Sequence, residues 1–208
     1  NAAPILSGDF WSSDRWHETW TAKADPQAAL ADGFSESRWN EHLSLDALRF
    51  PDLQGKLRSL ADPAFSGKAR VVQMFGSWCP NCNDEAAYLV ELDRRDRSRG
   101  LSILGLAFEV TGDLSRDTEQ VRRFASHHHI DFPLLVAGLS EKEQASRSFP
   151  LLDRVRAYPT TVFLHADGRP RAVHTGFSGP ATGEAYQELR QKFESLIEEL
   201  LTESAGTR

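Results

Sequence analysis

Hydrophobic and polar positions along the chain form short apolar runs separated by amphipathic stretches. Val71 to Phe75 is apolar except for Gln73, with β-branched and aromatic members. It passes through Gly76 and Ser77 to Trp78 and then to positions with helical spacing, which predicts a strand, a turn and a helix start. That helix carries Ala86, Leu89, Val90 and Asp93 on one side. It ends in Arg94, Arg95, Arg97 and Arg99 before Gly100, cations near the last carbonyls with glycine beyond them, and the arginine run reads as a solvated helix end. Leu101 to Phe108 is continuously apolar, as in a strand buried on both faces. Val121, Phe124, Ala125 and His128 mark a second amphipathic helix, Phe132 to Val136 a short strand, and Ser140-Glu141-Lys142-Glu143 a capping box opening a further helix. Tyr158 to His165, the turn Ala166-Asp167-Gly168-Arg169 and Arg171 to Thr175 read as a hairpin. Tyr186, Leu189, Phe193, Leu196, Ile197 and Leu200 form one face of a long closing helix. Strands alternating with helices, plus a late hairpin, predict an α/β fold with a central mixed β-sheet flanked by helices.

Before Leu43 the texture differs. Trp11, Trp16, Trp20 and Trp39, with Phe10 and Phe34, fall in a stretch without sustained periodicity. Phe10-Trp11 and Arg15 to Thr21 suggest two strands around Ser12-Ser13-Asp14, and Asp25-Pro26 a short helix to Ala31. Residues 1–42 are therefore expected to be an irregular Trp-rich extension, either an arm anchored by aromatics on the main domain or the remnant of a larger amino-terminal domain, with residues 43–208 as the main domain. Leu48-Arg49-Phe50 and Lys56 to Leu60, flanking Asp52-Leu53-Gln54-Gly55, suggest a β-hairpin.

A chain of 208 residues with 40% hydrophobic content supports one well-buried core with an appendage. The formal charge of −6, without a basic stripe, gives no support for nucleic-acid binding or attraction to an anionic membrane. No apolar run reaches the roughly 18 to 20 residues needed to span a bilayer. No secretory leader is visible, the expectation for a cytosolic protein or for a mature or shortened one.

Only two cysteines are present, Cys79 and Cys82, and they sit at the predicted strand–helix junction. A helix start stabilises a thiolate through unpaired backbone N–H groups and the macrodipole. Cys79, just ahead of the first turn, is thus the expected nucleophile, and Cys82, one turn on, the resolving thiol of a disulfide exchange. A zinc site lacks a second ligand pair, and Asn83 stands where haem attachment requires histidine. A peroxidase wants a lone cysteine with threonine three positions back, where Gly76 stands. His127-His128-His129 closes a helix, and three consecutive imidazoles point in different directions, so a shared metal site is not expected.

Phe75-Gly76-Ser77-Trp78-Cys79-Pro80-Asn81-Cys82, with Glu85 three residues on and Tyr158-Pro159-Thr160-Thr161 followed by Asp167-Gly168, resembles the TlpA/ResA-like branch of thioredoxin-fold thiol-disulfide oxidoreductases. The likeness covers roughly residues 43–201. It implies a thioredoxin-like fold, a cis Pro159 beside the dithiol, and a Tyr158 backbone able to pair with an extended substrate peptide. It also implies a Glu85 near the thiols acting as proton handler, although an acid complementing the helix start is an equal reading of the same residue. Trp78 is expected to shield the dithiol and to touch substrate. Asn81 departs from the proline of many relatives and leaves the redox direction open.

The function that follows is reduction of protein disulfides by the Cys79–Cys82 couple, with no cofactor beyond that redox-active disulfide. The implied partners are a protein or peptide disulfide substrate and an upstream thiol electron donor, without nucleic acid. The resemblance implies an extracytoplasmic location, periplasmic or membrane-tethered. The alternatives are a metal-binding or metallochaperone module and the redox-sensing domain of a larger protein.

Overall fold

The computed structural model describes residues 4–12, 16–28, 31–40 and 42–203. The chain divides into two compact units, residues 1–31 and 32–208, so the division falls at 31/32 rather than at 42/43. In the first unit, β1 (Ile5–Ser12) and β2 (Trp16–Lys23) form an antiparallel hairpin paired from Ile5↔Lys23 to Ser12↔Trp16. This part of the extension is therefore regular, with strands longer than the sequence pattern suggested. Trp11 stacks on His17 with ring centroids 3.9 Å apart, and His17 Nε2 lies 2.6 Å from Asp9 Oδ1. The predicted turn at Ser13-Asp14 and positions 29 and 30 of the predicted helix lie outside the described residues. The start of that helix is instead a turn, closed by Ala28 N–H donating to the Asp25 carbonyl at 3.1 Å.

The second unit opens with a short helix α1 (Gly33–Glu36), capped by the Asp32 carboxylate, which accepts from Phe34 N–H. The predicted hairpin follows as β3 (Arg49–Pro51) and β4 (Leu57–Ser59). Asp52 Oδ1 accepts from the backbone of Gln54 and Lys56 in its turn, a side chain replacing a missing ladder partner. Then come β5 (Ala69–Phe75), α2 (Pro80–Asp96), β6 (Leu101–Glu109), α3 (Leu114–His128), β7 (Leu134–Leu139), α4 (Lys142–Ser148), β8 (Thr160–His165), β9 (Pro170–Thr175) and α5 (Glu184–Glu203). The five-stranded sheet has the order β7-β6-β5-β8-β9. β5, β6 and β7 run parallel, and β8 and β9 are antiparallel to their neighbours, giving the expected mixed sheet. Among the described residues no helix is long and apolar enough to cross a membrane.

Every residue of the central strand β5 is buried, and its alternation assigns each side chain to one of two cores. Val71 and Phe75 face a cluster with Leu89 of α2, Phe124 of α3 and Phe193 of α5. Val72 and Met74 face the other, with Leu106, Phe149 and Leu164. Gln73 points to the α2 side as the one polar interruption of that face.

Helix ends follow sequence chemistry with one exception. Gly100 takes φ +110° where the α2 segment stops, a conformation that costs glycine little. The arginines there are paired rather than merely solvated: Arg95 and Arg99 both reach the buried Asp96 at 2.8 Å and extend to Glu194 and Glu198 of α5. The capping box at Ser140 does not form. Ser140 N–H donates to the Glu109 carbonyl and its carbonyl accepts from the Tyr158 hydroxyl, so the residue belongs to the end of the sheet and α4 begins after Glu141.

Candidate active site

β5 delivers the chain to a tight loop, Gly76 to Trp78, and Cys79 occupies the N-cap of α2 with extended φ −92° and ψ 119°. Pro80 takes the first helical position, where an N–H would have no intrahelical partner. The loop is closed by Cys79 N–H donating to the Gly76 carbonyl at 3.1 Å. Gly76 is required here because the Trp78 indole folds back over it, into space a Cβ would occupy. The indole is pinned by Nε1 donating to the Phe108 carbonyl at 3.0 Å and stands edge-on to Tyr158, yet remains 46% exposed.

Cys79 and Cys82 are both free thiols, 5% and 0% exposed. The Cys79 thiol is held at about 7, because the Cys82 thiol donates to its sulfur and the backbone N–H groups of Cys82 and Asn81 point at it, against an opposing effect of burial. Cys82 is pushed far up by burial, by its hydrogen bond to Cys79 and by the charge on Cys79. The hydrogen bond between the thiols and the deeper burial of Cys82, aided by the N–H groups of the helix start, thus split two chemically identical thiols into one that ionises near neutrality and one that keeps its proton.

The opposite wall comes from the segment leading into β8. The Tyr158–Pro159 peptide bond is cis, and the Cys79 thiol lies 3.5 Å from the Tyr158 carbonyl oxygen, to which it donates. The β8 ladder starts only at Thr160, after the residue that has no N–H to give. Pro159 is buried, and its carbonyl accepts from Gly176 N–H at 2.8 Å.

Glu85 is fully buried on the sheet-facing side of α2. Its Oε1 accepts from Thr161 Oγ1–H at 2.6 Å and its Oε2 from Gln73 Nε2–H at 2.7 Å. Burial raises its carboxyl to about 7, the two hydrogen bonds oppose that rise, and the nearby Cys79 charge adds to it. The position is thus enclosed between α2 and the sheet rather than open to solvent.

The family model described as AhpC/TSA matches residues 44–173, well over half of the chain. The chain belongs to the AhpC/TSA family. Its similarity extends to the thiol-disulfide oxidoreductase ResA of Bacillus thuringiensis, 28% identical over 141 residues, 68% of this chain and 71% of that protein. ResA of Geobacillus thermodenitrificans is 24% identical over 70% of this chain and 71% of its own length. Among solved structures, a thioredoxin family thiol:disulfide interchange protein from Chlorobium tepidum aligns with a TM-score of 0.52, 22% identity, 84% of this chain and 99% of that one. A secreted disulfide oxidoreductase of Mycobacterium tuberculosis aligns with a TM-score of 0.50, 21% identity, 69% of this chain and 95% of that one. The fold is thioredoxin-like, and this AhpC/TSA member is an oxidoreductase of the ResA/TlpA-like kind.

Within this AhpC/TSA fold, residues for which the sequence pattern indicated no role at the dithiol surround it. Gln73 and Thr161 grip Glu85; both were visible as polar residues inside otherwise apolar strands. Glu109, at the end of β6 and 2% exposed, accepts from Ser77 N–H and Ser77 Oγ–H, each at 2.8 Å, fixing the loop ahead of Cys79. Burial pushes the Glu109 carboxyl up. Asn83 Nδ2 donates to the Cys79 carbonyl at 2.8 Å, and its Oδ1 lies 2.7 Å from His128 Nε2. His128 thus turns inward, toward the first turn of α2. Among the described residues no three His, Cys, Asp or Glu side chains gather as a metal site.

Proposed function

We propose that this protein reduces disulfides of protein substrates outside the cytoplasm through the Cys79–Cys82 couple. The observation that carries the reading is the asymmetry of the thiols at the N-terminus of α2, one held near neutrality and one pushed far above it, beside the cis Tyr158–Pro159 wall. The Cys79 thiolate attacks one sulfur of a substrate disulfide. The substrate S–S bond breaks, the leaving sulfur takes up a proton, and a mixed disulfide forms. Cys82 then loses its proton, attacks Cys79 Sγ and releases the second substrate thiol, so two electrons pass to the substrate and the enzyme is left oxidised. An upstream dithiol donor restores the reduced pair.

Glu85 is the proton acceptor in the second step. It sits one helical turn beyond Cys82, with a carboxyl near 7 that is poised to exchange a proton in either direction. Trp78, Tyr158 and Pro159 make the docking wall, and an extended substrate strand lies along the Tyr158 backbone. The extracytoplasmic location is supported by likeness to the secreted Mycobacterium tuberculosis protein. Insulin-disulfide reduction with dithiothreitol tests the assignment: Cys79→Ser is expected to abolish turnover and Cys82→Ser to accumulate mixed disulfides. Full activity in Cys79→Ser overturns it. The direction is read from the reduction potential of the couple, expected to be strongly reducing.

A further inference from the structure

At the opposite end of β5 from the dithiol, a cleft of about 650 Å³ opens between the turn after β8 and a wall made by Trp39 and residues 43–45. Its volume is that of a small-molecule site. One wall is apolar, formed by Leu43, Leu45 and Trp39, the last fixed edge-on against Phe149 with ring centroids 6.3 Å apart. Arg70, on the sheet face away from Glu85, also lines the cleft. Arg70 is 7% exposed, and its guanidinium reaches the cleft: Nη1 lies 3.6 Å from where a Cβ on Gly168, itself a wall residue, would stand.

The Arg70 guanidinium is incompletely satisfied. Nη2 donates to the Leu60 carbonyl at 2.7 Å, whereas Nε, also buried, has no hydrogen-bond partner. Burial alone lowers its pKa, without an opposing carboxylate among the described residues. The other arginine of the wall, Arg169, is paired with Asp167 at 2.7 Å. A cation withdrawn from water is retained at low cost only where an anion and hydrogen-bond acceptors meet it.

We infer that this cleft binds a small organic monocarboxylate, its anion on Arg70 and its apolar body against Trp39 and Leu45. A single guanidinium with no carboxylate partner among the described residues, presenting Nη1 to the cleft, matches one negative charge, and a dianion would bring a second charge to a cleft that Asp167 also lines. The site is separate from the dithiol and is occupied independently of disulfide exchange.

Benzoate is the probe, titrated calorimetrically into the reduced 208-residue protein, with neutral benzamide as control. Saturable benzoate binding is expected, at least ~10-fold tighter than benzamide, because charge-assisted hydrogen bonds dominate the anchor. Arg70→Met should weaken it at least ~10-fold. Ala61→Phe, on the exposed rim, should block it without touching the cation, and insulin reduction should be unchanged in both variants. Equal binding of benzamide, undiminished binding by Arg70→Met, or no saturable binding overturns the inference. Glu41 lies outside the described residues and is an acid close in sequence to the wall. Benzoate binding seen only in Glu41→Gln would assign the anion to the chain itself and would equally overturn an external ligand.

Discussion

Glu85 holds its fully buried carboxyl between Thr161 and Gln73, and burial moves its pKa from 4.5 to about 7. A folded-state pKa above the unfolded one means that its contribution to stability is fully present below about pH 4.5 and is lost as pH rises through about 7. The shift corresponds to roughly 3 kcal/mol across that window. In a Cys79→Ser background, which removes the titrating thiol, Glu85→Gln is expected to flatten this loss, seen as denaturant midpoints that no longer fall between pH 5 and pH 8. In the active protein the same change removes a negative charge near Cys79. The pH profile of Cys79 alkylation should therefore move to lower pH, while release of a trapped mixed disulfide slows by about 10- to 100-fold. His128 acts at one remove, through Asn83 on the Cys79 carbonyl. His128→Ala is expected to leave far-UV circular dichroism unchanged and to shift the alkylation midpoint of Cys79. An identical midpoint would show the contact to be only structural.

At the level of elements, α2 is fixed at both ends by different means. Its start is held by the Gly76–Cys79 turn and by Glu109 on Ser77. Its end is held by Asp96, whose side chain is 1% exposed, between Arg95 and Arg99, which are 44% and 45% exposed. Removing Asp96 leaves two cations that can turn to water, so Asp96→Ala is expected to cost about 1–2 kcal/mol. Removing both arginines strands a buried carboxylate, and Arg95→Ala/Arg99→Ala should cost more, about 3–5 kcal/mol. Chemical denaturation of the two variants checks that order. The strand, turn and helix around the dithiol were legible in the sequence because local signals agreed: an apolar run, a glycine, then proline at a helix start. The hairpin of residues 5–23 was only half legible, since its strands carry Ser7, Gly8, Asp9 and Thr19 among their apolar residues and show no clean alternation. The capping pattern at Ser140 misled because the backbone of that residue is claimed by Glu109 and Tyr158. Contacts far apart in sequence, Gln73 to Glu85 and His128 to Asn83, leave no local trace beyond a polar residue in an apolar setting.

For the whole molecule, the division at 31/32 assigns α1 and Trp39 to the thioredoxin-like unit. Phe34 lies 4.5 Å from the His174 ring and 6.2 Å from Phe193, and Trp39 packs on Phe149. A chain beginning at Asp32 is therefore expected to melt within ~2 °C of the full chain and to reduce insulin at the same rate. One beginning at Leu43 loses both aromatic anchors and should melt at least ~5 °C lower. Calorimetry of the two truncated chains distinguishes this boundary from one at 42/43. The burial of the two sulfurs has its own consequence at this scale. A disulfide arriving from solvent meets Cys79 alone, because Cys82 is wholly enclosed. Every mixed disulfide the native protein makes with a bulky partner is thus linked through Cys79, whatever the partner's sequence, and peptide mapping of such adducts should return the Cys79 sulfur and never the Cys82 sulfur on this side of the bond.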